Sequence, residues 1–216
     1  MERIPEPEIM DIPDEAEAYA LADFADVNAA FVTRLEELTA AGEPSLALDL
    51  GTGPGDIPSR LRQVRPAWSI VAVDAAFPML RLARAAVREA QVGWTQADAK
   101  TLPFPAACFD VVFSNSILHH ITGVTPFWME LKRVATSNAF VFLRDLARPE
   151  DPEAARDLVD RYAGQESPLL QEEFYRSLLS AYTVDEVRAQ LAEAGLDSLQ
   201  VAMVTDRHLD VSGRIA

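Results

Sequence analysis

Cysteine is almost missing from this sequence: Cys108 stands alone. A single thiol excludes an internal disulfide and any zinc site built on paired cysteines. Positive charge is scarce too. Lysine and arginine total 19 against 34 aspartates and glutamates, a formal net charge of −15. A body this acidic repels phosphate backbones, which excludes nucleic acid as the expected substrate. Arg81, Arg84 and Arg88 are spaced three and four apart and read as one solvated helix face, not as a basic patch. No apolar run approaches a membrane span. The opening M-E-R-I-P-E-P-E-I-M-D is acidic and broken by proline, unlike a secretory signal. A soluble, cytoplasmic protein is expected, with no membrane partner. There is no internal repeat, no low-complexity tract and no spacing that calls for a metal.

What is present suits one globular unit. The 216 residues are 49% apolar and 25% charged, an ordinary core-forming composition. Residues 1–43 read as an extended arm followed by a helical cap, with helices over 14–24 and from Asp26, the second ended by Gly42 and Pro44. In that second helix Val27, Phe31, Leu35 and Leu38 share a face. Residues 44–216 read as the main domain. There the pattern alternates: strands over 46–50, 69–73, 92–96, 109–114 and 139–144, with helices over 58–64, from Pro78, and over 126–134. Met79, Leu82, Ala83, Ala86 and Val87 form the inward face of the helix opened by Pro78. Uninterrupted apolar strands imply a parallel sheet covered on both faces. The stretch 148–182 reads as an insertion rich in charge and proline. Thr183 opens a capping box, T-V-D-E, on a helix that Gly195 closes. Segments 199–204 and 209–211 read as a terminal antiparallel hairpin. The expected fold is therefore α/β, a Rossmann-like doubly wound sheet of seven mostly parallel strands, with its ligand outside the strand C-termini.

The first strand runs into L-D-L-G-T-G-P-G, with glycines at 51, 53 and 55. The dinucleotide fingerprint G-x-G-x-x-G would need glycine at 56, where Asp56 stands. Asp49, two residues before the first glycine, would repel a pyrophosphate. It would suit a cationic group such as an α-ammonium. The turn reads as made for a zwitterion carrying a nucleoside.

D-L-G-T-G-P-G at 49–55 resembles the glycine motif of class I S-adenosylmethionine-dependent methyltransferases. Further pieces of that family follow in order: Asp74 ending V-A-V-D, Asp98-Ala99 after the third strand, F-D-V-V-F-S-N-S-I-L-H-H-I at 109–121, and L-K-R-V at 131–134. The resemblance covers roughly residues 45–145. It implies S-adenosyl-L-methionine as cofactor, with Asp74 taking both ribose hydroxyls and Asp98 the adenine amino group. Ala75, Met79 and Ala99 would lie near the adenine, and Asn115 beside the cofactor in the loop after the fourth strand. The leading helices would form a lid, bringing in Tyr19.

The chemistry implied is methyl transfer to a small-molecule acceptor. S-N-S-I stands where amino-group methyltransferases of nucleobases or glutamine carry N-P-P-Y. His119 and His120, at the end of the fourth strand, are candidate bases, since an unperturbed imidazole titrates near 6.5. Asp145 is a further catalytic candidate, and Arg144 and His208 are substrate candidates beside Tyr19. Tyr162, Phe174, Tyr175 and Tyr182 of the 148–182 stretch are candidates for lining the acceptor pocket. Two other readings share the same turn: a cofactor-binding regulatory protein without transfer activity, and a nicotinamide oxidoreductase.

Overall fold

The apolar runs in the middle of the chain become strands buried from both sides. A computed structural model describes residues 1–7, 9, 11–22, 24–39, 45–87 and 90–216. Gly42 and Pro44, expected to end the second helix, and Arg88 of the arginine face lie outside the described residues. The strands are β1 (Leu46–Leu50), β2 (Ser69–Asp74), β3 (Val92–Gln96), β4 (Phe109–Asn115), β5 (Ala135–Leu146), β6 (Gln200–Met203) and β7 (His208–Arg214). They form one sheet in the order β3-β2-β1-β4-β5-β7-β6. The pairs among β1 to β5 are parallel. β7 runs antiparallel to β5 and β6, which is the terminal hairpin expected from sequence. Strand order reverses between β1 and β4, and that switch point places a crevice above their C-terminal ends.

Alternation along each strand divides the core into two layers. Ala47, Val111, Phe113, Phe140 and Phe142 face α2 (Ala25–Leu38) and α3 (Asp56–Val64). Leu48, Leu50, Val112, Val141 and Leu143 face α5 (Val124–Val134) and α8 (Val184–Glu193). Phe31 of α2 stacks on Phe142, their ring centroids 4.7 Å apart. Truncating such a fully buried ring to alanine costs about 3–5 kcal/mol. Two further helices complete the wall beside the switch point, α1 (Pro13–Leu21) and α4 (Phe77–Ala86). In α4 the buried residues are Pro78, Met79, Leu80 and Ala83, and Ala86, expected inward, is exposed.

The 148–182 stretch folds as a pair of helices, α6 (Pro152–Ala163) and α7 (Pro168–Ser180). Two of its three prolines, Pro152 and Pro168, read from sequence as part of an insertion rich in charge and proline, sit in the first helical turn. There a missing N–H is no loss. Asp151 accepts from the Ala154 N–H at 2.8 Å and Ser167 from the Leu170 N–H at 3.3 Å, so both helices are capped. The pair buries its own small core of Leu158, Val159, Leu178 and Leu179. The capping box of α8 forms as expected: Thr183 Oγ1 accepts from the Glu186 N–H, and Glu186 accepts from the Thr183 N–H at 2.8 Å. No helix of the described residues is long and apolar enough to cross a membrane.

Candidate active site

The glycine turn lies at the switch point, where β1 meets the N-terminus of α3. The Val73 carbonyl accepts from both the Gly51 and Thr52 N–H groups at 2.9 Å, tying the turn to β2. Gly53 has φ +54, and a Cβ there would meet nothing within 4 Å, so the bare backbone faces open space. Gly55 has a different task. A Cβ at its φ of +86 would stand 2.9 Å from Trp94 and 3.0 Å from Ala83, so this glycine lets α3 close on α4 and β3. It does not line the cleft.

Asp74, at the tip of β2, accepts from the Gly53 N–H through Oδ2 and from the Ala76 N–H through Oδ1, both at 2.8 Å. Burial raises its pKa, and the amides oppose that. Each oxygen keeps a lone pair for a further donor. Asp98 is half exposed at the tip of β3 and accepts from the Lys100 N–H at 2.8 Å. With Gly51, Gly53, Ala75, Met79, Ala99, Asn115, Ser116 and His120 these two carboxylates line one lobe of the cleft.

A second lobe adjoins it across Gly51, Gly53, Asn115 and Tyr19, which line both. The lobes hold about 120 and 660 Å³. Together they fall in the ~300–1,000 Å³ range of small-molecule sites. At the far side Asp49 is 2% exposed and its Oδ2 has no hydrogen-bond partner. Burial pushes its carboxyl up to about 7. A buried, unpaired carboxylate oxygen is costly and calls for a donor. Asn115 donates to Asn28 Oδ1 at 3.2 Å, and Asn28 donates to Asp56 Oδ2 at 2.8 Å. Asn28 was not anticipated. Its signal was a polar side chain one turn from Phe31, on the buried face of α2. Tyr19 stands over the turn against Phe24, with ring centroids 4.9 Å apart. Burial, with the Asp74 charge, pushes its hydroxyl up to about 12.

Beyond β4, Ser116 takes φ +62, a strained conformation for a residue with a side chain, on the cleft wall. A 3-10 turn over Leu118–His120 follows. His119 is 4% exposed, and its Nδ1 lies 2.5 Å from Asp145 Oδ1. Asp145 also accepts from the Leu118 and Leu146 N–H groups, and its carboxyl is held low: burial opposes ionisation, but His119 outweighs it. Burial likewise opposes the His119 imidazolium, and Asp145 overrides it, so that pKa is raised. His120 is pushed down to about 3 by burial and by His119. The arm reaches this place. Glu6 Oε1 lies 3.2 Å from His120 Nδ1 and 3.6 Å from His119 Nε2, and Arg3 donates to the His119 carbonyl at 2.8 Å. The grouping of Glu6 with both imidazoles was not expected from sequence, because the arm carries no periodicity to place it.

Of the candidates, His120 lines the cleft, while His119 and Asp145 lie behind it. Arg144 and His208, expected at the substrate, are taken elsewhere. The Arg144 fork is spent on Asp210 of β7, with contacts of 2.7 and 2.8 Å, because the antiparallel register sets those residues opposite each other. His208 is buried at the start of β7 with Nδ1 3.0 Å from Thr205 Oγ1, and burial lowers its pKa to about 4. Tyr162 pairs with Asp206 and Tyr182 with the Ile121 carbonyl. Neither lines the cleft beside His120.

Residues 48–143 match the family model described as a methyltransferase domain. The stretch from β1 to β5 is thus similar to a methyltransferase domain. A demethylmenaquinone methyltransferase of Roseiflexus sp. is 33% identical over 121 residues, 55% of this chain and 51% of that one. A malonyl-[acyl-carrier protein] O-methyltransferase of Geobacter sulfurreducens is 31% identical over 174 residues, 74% of this chain and 58% of its own. The chain spans about half the length of the curated relatives it matches. The crystal structure of an S-adenosylmethionine-dependent methyltransferase from Aquifex aeolicus superposes with a TM-score of 0.70 at 20% identity. That match covers 95% of this chain and 99% of that one. The chain therefore shares the fold of that solved methyltransferase.

Proposed function

We propose that this chain moves the methyl group of S-adenosyl-L-methionine to a small-molecule acceptor by in-line displacement. The observation that carries the reading is the Asp74 carboxylate, locked at the β2 tip beside the bare Gly51–Gly53 turn and open to the cleft. The residues fit the cofactor. Asp74 would accept from the ribose diol, Asp98 from the adenine amino group, and the orphaned Asp49 oxygen from the α-ammonium. Gly53 leaves room for the chain between them. When bound, the sulfonium supplies an already activated methyl group.

The rest is positioning. Ser116, Ile117 and His120 wall the cleft beyond Asn115 and would set the acceptor in line, an effect that can contribute about 7–11 kcal/mol at best. With its pKa near 3, His120 is neutral at pH 7 and a weak base. Its role is therefore to shape the cleft wall and orient the acceptor, held from behind by His119 and Asp145. The lining beside His120 includes Ile9, Ile117 and Ile121, and no lysine or arginine occurs among its described residues. An apolar acceptor fits it better than an anionic one. The names of the relatives, a demethylmenaquinone and a malonyl-carrier enzyme, agree with non-nucleic-acid acceptors.

Calorimetry tests the reading: S-adenosylhomocysteine should bind saturably, and NAD should release no heat. Saturation by NAD with silence from S-adenosylhomocysteine would sink it.

A further inference from the structure

Glu6 and His119 have side chains 6% and 4% exposed, and both converge on His120 at the cleft floor. The tautomers can be worked out. An ionised Asp145 can only accept, so His119 Nδ1 carries the proton it shares, and in the neutral ring Nε2, 3.6 Å from Glu6 Oε1, keeps the lone pair. His120 is hydrogen-bonded by the backbone of Pro7, which offers only a carbonyl oxygen. Its Nδ1 has no hydrogen-bond partner, so Nε2 is the donor and Nδ1 keeps a second free lone pair. Two imidazole nitrogens thus stand 3.6 and 3.2 Å from one carboxylate oxygen, and the three candidate ligand atoms lie within 4.8 Å of one another. At 3.6 Å a shared proton makes no hydrogen bond. Donors bound at 2.0–2.2 Å around one tetrahedral or octahedral ion stand roughly 3 to 3.6 Å apart. The surrounding charge is also right. Glu6, Asp145 and Glu173 outnumber Arg3, so a dication offsets a negative excess.

We propose that Glu6, His119 and His120 bind one divalent transition-metal ion, with Asp145 orienting His119 from behind. Two nitrogens and one carboxylate oxygen suit zinc, cobalt or iron and leave coordination positions free. His120 and Ile121 line the cleft, so the ion would sit at its wall, beside the place where the acceptor would dock; that last clause rests on the methyl-transfer reading. The ion itself does not. Its ligand there would be an acceptor oxygen.

The test uses untagged protein, stripped with a chelator and titrated with Co²⁺. One ion per chain should bind with visible d–d absorption, and Zn²⁺ should displace it. Glu6→Gln and His120→Asn should each weaken Co²⁺ at least a hundredfold, and Asp145→Asn should weaken it 10- to 100-fold. Thermal melts by circular dichroism check that each variant folds. Absence of stoichiometric Co²⁺ binding overturns the proposal, as does equal binding by folded Glu6→Gln and His120→Asn, which means an adventitious ion only. S-adenosylhomocysteine calorimetry on the same stripped protein reads the methyl-transfer proposal separately, so either can fail alone.

Discussion

At the nucleoside end of the cleft, Asp49, the glycine turn, Asp74 and Asp98 stand on the tips of three strands that follow one another in the chain. Backbone hydrogen bonds within that unit hold it: Val73 to the turn, Gly53 and Ala76 to Asp74. At the other end Glu6, His119 and Asp145 come from the arm, a 3-10 turn and β5. Glu6 joins the other two because the arm docks, through Ile4 to the Leu179 carbonyl and Arg3 to Ser180 and His119. The first end is held by bonds within three neighbouring strands, and the second by contacts between segments far apart in the chain. Damage to one should therefore leave the other measurably intact.

The largest effect expected at the nucleoside end is on stability. The Asp49 carboxyl titrates near 7 in the folded chain against 3.8 unfolded. The folded state therefore holds this proton more tightly. The stability it contributes is complete below pH 3.8 and is lost as pH rises through 7. Asp49→Asn removes that loss, so its melting at pH 8 should show up to about 4 kcal/mol more stability than the parent. The same carboxylate should make S-adenosylmethionine affinity fall, toward tenfold per pH unit, as pH drops below 7. Titration calorimetry across pH 5.5–8.5 shows whether that slope exists and disappears in Asp49→Asn.

Next in size is Gly53→Leu, which fills the open cradle. S-adenosylhomocysteine should bind at least a hundredfold more weakly, roughly 2.7 kcal/mol. The melting point should show only the modest cost of a side chain at positive φ. Asp74→Ala loses the ribose acceptor and should weaken the same ligand about tenfold, near 1.4 kcal/mol. Unchanged affinity would remove Asp74 from the cofactor site. The smallest expected effect sharpens the contrast most. Glu6→Gln, at the arm's end, should leave S-adenosylhomocysteine affinity within about a factor of two. A large loss there would show that the two ends are coupled and that the comparison is wrong.

Legibility followed the same division. The expected strand at 92–96 coincides with β3, and the capping box at Thr183 with α8, because alternation and capping act over a few residues. Gly51, Gly53 and Asp74 were legible as cleft residues, since their positions follow from strand ends. The α6–α7 pair was missed because proline marks a loop and a helix start with equal force. Arg144 and His208 were misplaced for another reason. Which partner an arginine meets depends on register across β5 and β7, and register is set by the whole sheet.

The chain's own order of residues determined the alternating α/β pattern, the missing dinucleotide glycine and the row of strand-tip carboxylates, all of which are local. Only tertiary folding decided that Glu6 would stand against His119 and His120, that Asp145 would lie behind them, and that Arg144 would turn away to Asp210. Those contacts join residues more than twenty positions apart. No short-range periodicity encodes them, and they come together only when the core that closes those loops has formed.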